Sequence, residues 1–432
     1  MPDRAPAGYW EMIQKVGPKP IIEPEQLKTE DDWIAAGKAV FEQLDHITMR
    51  SYDPKLIAFA RSRAAFPGGG NGSDGTVPVL RWVPTERGVA IGFTNCSSCH
   101  MRAMPDGSFL HGPSTAGSVL SGGGAIVGAL VSAPHHIAAS PIRLLESPGM
   151  RSYRAYGVPW LEDDVHAKMK TMSPAEIEVL RRSGLSVSNG IFARWNGSPY
   201  FPAKIPDLIG VSDYKYLDHT GTHLNRGIAD LMRYTALVSV AESSDFGSHH
   251  LLGPEQRKVE QRLPDEAMYA LALYIKSLKP PANPNPFDEY AAAGKKIFER
   301  EGCGGCHTPP LYTNNKLTLA RGFTPPPDAP KSLDIMNISV GTDPGLALKT
   351  RKGTGYYKVP SLRGVWYRGR YLHDGSLASL EEMFDPNRLN ETFSPGGWNP
   401  PAVKTRAVVG HEFGLRLSVN DRKSLIAFLR TL

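Results

Sequence analysis

Apolar and polar positions follow a helical period at four places along the chain. In Asp32-Trp33-Ile34-Ala35-Ala36-Gly37-Lys38-Ala39-Val40-Phe41-Glu42, aromatic, small and apolar residues fall on one helical face, and the same face recurs in Glu289-Tyr290-Ala291-Ala292-Ala293-Gly294-Lys295-Lys296-Ile297-Phe298-Glu299. Two more patterns carry Leu271, Tyr274, Ile275, Lys276 and Leu278, and then Leu425, Phe428, Leu429, Arg430 and Leu432. Between these helices lie long loops. Glycine and proline gather in Pro67–Gly72, Ser121–Gly124, Pro280–Pro286 and Pro325–Pro327, which are loop and linker signals. Pro280–Pro286 follows a helical pattern ending at Leu278 and precedes another starting near Asp288, so it divides the chain into domains 1–280 and 281–432.

The two halves repeat one another in order. Each opens on the first kind of helix and closes on the second. Between them, Lys204-Ile205-Pro206-Asp207-Leu208-Ile209-Gly210-Val211 matches Lys358-Val359-Pro360-Ser361-Leu362-Arg363-Gly364-Val365, each followed by Tyr-Leu, at Tyr216-Leu217 and Tyr371-Leu372. The fold expected is mainly α, with two similar units of which the first is enlarged by insertions.

Composition narrows the chemistry. The chain has 432 residues and only four cysteines, all used in Cys96-Ser97-Ser98-Cys99-His100 and Cys303-Gly304-Gly305-Cys306-His307. Cys-x-x-Cys-His is the attachment signature of c-type haem: the cysteines add to the vinyl groups and the histidine ligates the iron. A structural zinc site would use four thiolates without a histidine directly after each pair, and a thioredoxin-like motif has no reason to carry that histidine twice. Four cysteines are also a sparse disulfide framework for so long a chain. The expectation is two covalently attached haems c in two cytochrome c-like domains, with Cys96, Cys99, Cys303 and Cys306 as anchors and His100 and His307 as proximal iron ligands.

The surroundings of the two motifs differ. Cys303 follows Phe298 by 5 residues, whereas Cys96 follows Phe41 by 55, and the next repeated segment starts 108 residues after Cys96 but 55 after Cys303. The first haem therefore has more protein around it, as a substrate pocket requires. For the sixth ligand of the second haem, His411 is the candidate, six residues before Leu417 at the head of the last helix; the corresponding place in the first unit is Arg257, which cannot ligate iron. Unless His111, His135, His136, His219, His223, His249 or His250 reaches it, the first haem is open to an oxidant. His249-His250 is the pair most worth testing. His373 rivals His411, and its plainer reading is a turn histidine. Trp195 and Trp366 are core residues or electron relays between haems, and Arg194 and Glu412 are acid-base or propionate partners.

The formal charge of +6 comes from dispersed Lys and Arg, with no stripe that would suit nucleic acid. No apolar run approaches the ~20 residues that span a bilayer. Because haem c is attached outside the bacterial cytoplasm, a periplasmic or secreted protein is expected, its signal peptide not present at Met1-Pro2-Asp3-Arg4.

Lys358–Val365 followed by Tyr371-Leu372-His373-Asp374-Gly375-Ser376-Leu377-Ala378-Ser379-Leu380-Glu381-Glu382 resembles the bacterial di-haem cytochrome c peroxidase superfamily. That superfamily includes the methylamine dehydrogenase maturation enzyme and the di-haem rubber oxygenases. The resemblance is strong over 288–432 and weaker, though collinear, over 32–278. It implies a reactive N-terminal haem on His100, a C-terminal haem on His307 that relays electrons, and in several relatives a calcium ion between the domains, for which no acidic loop is specific here. Two departures stand out. The peroxidase branch places a methionine before the final helix, yet no Met follows Met383; Gly410-His411-Glu412-Phe413-Gly414 is closer to the bis-histidine pattern of the rubber-oxygenase branch. The peroxidase branch also has a switching histidine after its first motif, where this chain has only His111. Three functions follow: a peroxidase using hydrogen peroxide and a small redox protein as electron partner, an oxygenase using dioxygen on an apolar unsaturated substrate beside Ser118–Ala139, and a non-enzymatic electron carrier.

Overall fold

The computed structural model describes residues 5–44, 51–66, 80–92, 95–104, 106–114, 190–192, 203–238, 264–329, 333–348, 354–400 and 402–432, the positions 173 and 175, and the short strands 245–246 and 249–250. Among these, 38 % of residues are helical and 12 % are in strands, so the fold is mainly α. The helices are α1 (Tyr9–Val16), α2 (Glu30–Gln43), α3 (Pro54–Ala60), α4 (Cys96–Cys99), α5 (Ile228–Val238), α6 (Asp265–Ser277), α7 (Glu289–Arg300), α8 (Gly345–Leu348), α9 (Val365–Arg368), α10 (Leu380–Met383) and α11 (Val419–Arg430). The strands are β1 (Arg81–Thr85), β2 (Gly88–Gly92), β3 (Met101–Ala103), β4 (Phe109–His111), β5 (Ile191–Phe192), β6 (Ala203–Lys204), β7 (Asp245–Phe246), β8 (His249–His250), β9 (Leu317–Leu319), β10 (Ile335–Ser339) and β11 (Tyr356–Lys358).

The chain forms two compact units. The first holds residues 1–158, 164–190 and 231–278, and the second 159–163, 191–230 and 279–432. The break at Leu278/Lys279 adjoins the proline-rich stretch. Residues 191–230 precede that stretch yet belong to the second unit, because backbone pairing with residues far along the chain binds them there. The Lys204 amide donates to the His373 carbonyl at 2.7 Å, and the Lys358 amide donates to the His219 carbonyl at 2.9 Å.

In the first unit, Thr29 caps α2 by accepting from the Asp32 amide, while the Asp32 carboxylate accepts from the Thr29 amide. α2 then crosses α6, and Gly37 makes the crossing possible: a Cβ there would lie 1.9 Å from the Ala270 carbonyl oxygen. The second unit repeats this device. Asp288 caps α7, Ser418 caps α11, and a Cβ on Gly294 would lie 1.9 Å from the Ser424 oxygen. Phe41 meets Tyr274 with ring centroids 5.4 Å apart at 65°, and Phe298 meets Phe428 at the same 5.4 Å and 65°. The repeated Pro-x-Leu-x-Gly-Val segments match as well. Gly210 and Gly364 turn with φ of 73–74° into a helical turn, and each is followed by a one-bridge loop, Tyr216↔Leu224 and Tyr371↔Leu377. The duplication read from sequence is thus present in the backbone.

The described part of the insertion before Cys96 includes α3 and the β1–β2 hairpin, around Ala60, Ala65, Phe66 and Ile91. Trp10 of α1 packs edge-on against Trp82 at 5.0 Å. In the second unit β9 lies between parallel β10 and antiparallel β11. Its main core joins Ile297, Phe298, Val365, Leu377, Leu380, Met383, Phe384, Val408, Leu425 and Phe428. Among the described residues, no helix is long and apolar enough to cross a membrane.

Candidate haem sites

The first motif is one turn of helix, α4. Asn95 caps it, its side chain accepting from the Ser98 amide while its own amide donates to Ser98 Oγ at 3.1 Å. Asn95 Nδ2 also donates to the Glu42 carbonyl at 2.9 Å, which docks the turn on the end of α2. The His100 amide donates to the Cys96 carbonyl at 2.9 Å. The second motif reaches the same local geometry by a different entry: Gly302, at φ 72°, leads into the turn Cys303–Gly305, and the His307 amide donates to the Cys303 carbonyl at 2.9 Å.

All four thiols are free of disulfides. Burial pushes Cys96 up to about 12, with help from the neighbouring Cys99 thiol, and Cys99 and Cys303 up to about 11; Cys306 is raised for the same reason. Reactive redox thiols and zinc ligands need the thiolate, which these surroundings disfavour, whereas a neutral thioether suits them. Among the described residues, no three His, Cys, Asp or Glu side chains gather as a metal-holding cluster.

His307 is prepared as a ligand. Its Nδ1 lies 3.2 Å from the Tyr312 carbonyl and 3.1 Å from the Pro360 carbonyl. Carbonyls only accept, so the proton resides on Nδ1 and the Nε2 lone pair is left for a metal. Facing it is the His411 ring, at a centroid distance of 6.2 Å. Two imidazoles bonded to one metal at about 2 Å each have centroids about 6 Å apart. Burial, and then the nearby His307, hold His411 down at about 4, so it is neutral at pH 7. Its buried Nδ1 has no hydrogen-bond partner among the described residues. An orphaned buried nitrogen costs about 1–3 kcal/mol, so this one calls for a group the polypeptide does not itself supply. The residues fit a haem held by two histidines.

No family model matches the chain. It is similar to cytochrome-c peroxidase IdrP1 of Denitromonas iodatirespirans, at 28 % identity over 197 residues, which covers 39 % of this chain and 49 % of the relative. The IdrP1 of Pseudomonas sp. (strain SCT) matches at 26 % over the same length, and the methylamine utilization protein MauG of Methylorubrum extorquens at 27 % over 168 residues, 34 % of this chain and 38 % of MauG. These similarities support a place for the chain in the di-haem cytochrome c peroxidase/MauG superfamily. The match spans about half the length of the IdrP1 proteins and less of MauG. Among solved structures, a MauG-like protein associated with microbial copper homeostasis aligns over 53 % of this chain and 73 % of its own, with TM-score 0.33 and 17 % identity.

The cytochrome-c peroxidase and MauG relatives imply c-type haem as the cofactor. Among the described residues, His111, His219, His223 and His373 have other partners. His111 is a core residue of the first unit: its Nδ1 is 2.6 Å from the Tyr274 hydroxyl and its ring is 4.9 Å from Phe41. It takes the place that Tyr312 takes between Phe298 and Phe428, where the centroid distances are 5.9 and 6.2 Å. Nε2 of His219 meets the Lys204 carbonyl at 2.6 Å, and the His223 amide donates to Asp218. His373 stacks on Tyr357 at 4.4 Å, with Nε2 3.3 Å from its hydroxyl. That hydroxyl donates to the Asp343 carbonyl at 2.8 Å, so the His373 nitrogen carries the proton of their contact. Trp366, on α9, is partly buried and packs edge-on to Tyr367 at 5.2 Å. Glu412 is exposed. His135, His136, Arg194, Trp195, Arg257, the Ser118–Ala139 segment and the side chains of His249 and His250 lie outside the described residues. Nothing in the sequence singled out Arg388, whose fully buried guanidinium lies under the His411 loop; burial of a charged residue inside a turn leaves no periodic trace.

Proposed function

We propose that this chain is a di-haem c-type oxidoreductase of the periplasm or extracellular space. Cys96, Cys99 and His100 would hold the haem that supplies chemistry on hydrogen peroxide, and Cys303, Cys306, His307 and His411 would hold the one that supplies electrons from a small redox protein. The facing pair His307 and His411, 6.2 Å apart, carries the division of labour. Two imidazoles facing one another would suit a haem that supplies electron transfer, which would leave substrate chemistry to the residues around His100. The peroxidase relatives support peroxide as the oxidant.

When bound, c-type haem supplies one-electron and O–O bond chemistry. The chain's own residues set it up. His100 and His307 would supply the iron-binding imidazoles, and the Tyr312 and Pro360 carbonyls hold the His307 proton on Nδ1. Trp366, and Trp195 by its place near the repeated segment, are the aromatic relay candidates. His373 holds a proton toward Tyr357. The second reading is an oxygenase that takes dioxygen and an apolar unsaturated substrate. The histidine at 411, where the peroxidase branch carries methionine, favours it.

Stopped-flow mixing of the reduced holoprotein with hydrogen peroxide tests the first reading. Rapid reoxidation of both haems with stoichiometric peroxide is expected. Failure to react with peroxide, together with aerobic cleavage of an apolar alkene, would establish the second reading instead.

A further inference from the structure

Arg388 sits in the short turn Pro386–Leu389 and is 0 % exposed. Among the described residues it makes no ion pair. Its guanidinium instead donates only to backbone carbonyls: Nε to Met383 at 3.0 Å, Nη1 to Val408, and Nη2 to Gly410 and His411 at 2.9 Å each. The Val408 amide returns a bond to the Arg388 carbonyl at 2.6 Å. Three of the four acceptors belong to one loop, the loop that carries His411.

That loop cannot hold itself in place by regular pairing. Gly410 has φ 84° and His411 φ 49°, a left-handed conformation that L side chains avoid. A Cβ on Gly410 would fall 2.2 Å from the Thr342 amide nitrogen, and the His411 amide donates to the Val340 carbonyl. The loop is clamped between the end of β10 and the buried fork. A left-handed histidine persists only where its surroundings over-determine it. Burying a cation with no carboxylate in direct contact is also an expensive way to fill a core, which an apolar side chain would fill at lower cost. The planar fork can bind several carbonyls in fixed directions, which a lysine cannot.

We propose that Arg388 is the positioning residue for His411, its guanidinium fixing the 408–411 loop so that the imidazole faces His307 at ligating distance. This rests on the reading of His411 as the second axial base of the C-terminal haem. Ferric holoprotein is compared by low-temperature electron paramagnetic resonance, with thermal melts alongside, for the wild type, His411→Ala, Arg388→Met and Arg388→Lys. His411→Ala should turn the second haem high-spin; if it stays low-spin, the ligand reading itself falls. With that control satisfied, Arg388→Met should lose most of the low-spin signal of the second haem, Arg388→Lys part of it, and added imidazole should restore both. An Arg388→Met protein with a lowered melting temperature but an unchanged low-spin signal would overturn the positioning role. Should Arg388→Met fail to fold, Arg388→Lys decides: a partial loss rescued by imidazole supports the proposal, and a wild-type signal overturns it.

Discussion

His111 and Tyr312 fill the same niche against a helix-borne phenylalanine, Phe41 in one unit and Phe298 in the other, but they fill it with different chemistry. Burial, with a contribution from Lys38, holds His111 neutral down to about 4, against 6.5 for an ordinary histidine. The unfolded chain therefore takes up this proton before the folded one does. Stability is lost as pH falls from 6.5 toward 4, by roughly 3 kcal/mol at most if the whole shift is realised. Urea unfolding across that range should show the decline, and a variant with the C-terminal trio's residues, His111→Tyr with Tyr274→Phe, should flatten it. The double variant should lie within about 1 kcal/mol of the wild type at pH 7, whereas Tyr274→Phe alone should cost about 1–3 kcal/mol by stranding His111 Nδ1. An unaltered pH dependence in the double variant would remove His111 from this role. The sequence offered His111 only as a histidine near the first motif. Its equivalence to Tyr312 is hidden because the β3–β4 hairpin lengthens the path from the motif, 15 residues against 9.

At the scale of elements, the helix crossings are where sequence and structure agree most closely. The patterns over 32–42 and 289–299 become α2 and α7, and the closing patterns become α6 and α11. Their caps, Thr29 with Asp32, Asp288 and Ser418, each solve a local hydrogen-bond problem at the helix start. The function of Gly37 and Gly294 is visible only in space. Alanine is favoured over glycine in a helix by about 1 kcal/mol, but here its methyl would meet a carbonyl oxygen at 1.9 Å. Gly37→Ala and Gly294→Ala should each destabilise by about 2 kcal/mol or more and lower haem incorporation. Denaturant midpoints at or above the wild-type value would show that the helices do not pass so close. The two haem motifs, alike in sequence, are entered differently, one through the Asn95 cap and the other through left-handed Gly302. The neighbours Asn95 and Gly302 state that difference plainly once the turn they serve is known.

At the scale of the whole molecule, a duplicated helical unit has been kept compact around His307 and enlarged around His100. The duplication was legible because the matching segments keep their order. The placement of residues 191–230 in the second unit was not, since long-range pairs such as Lys204 with His373 have no local signature. The proposed difference between the two centres rests on His411 facing His307 in the second unit, whereas the corresponding sequence position of the first unit is Arg257, which cannot ligate iron and lies outside the described residues. Low-temperature electron paramagnetic resonance of the ferric holoprotein reads this directly. The account predicts one low-spin signal of bis-histidine type, abolished in His411→Ala, beside one high-spin signal that survives the substitution. Two low-spin bis-histidine signals with no high-spin iron would contradict it.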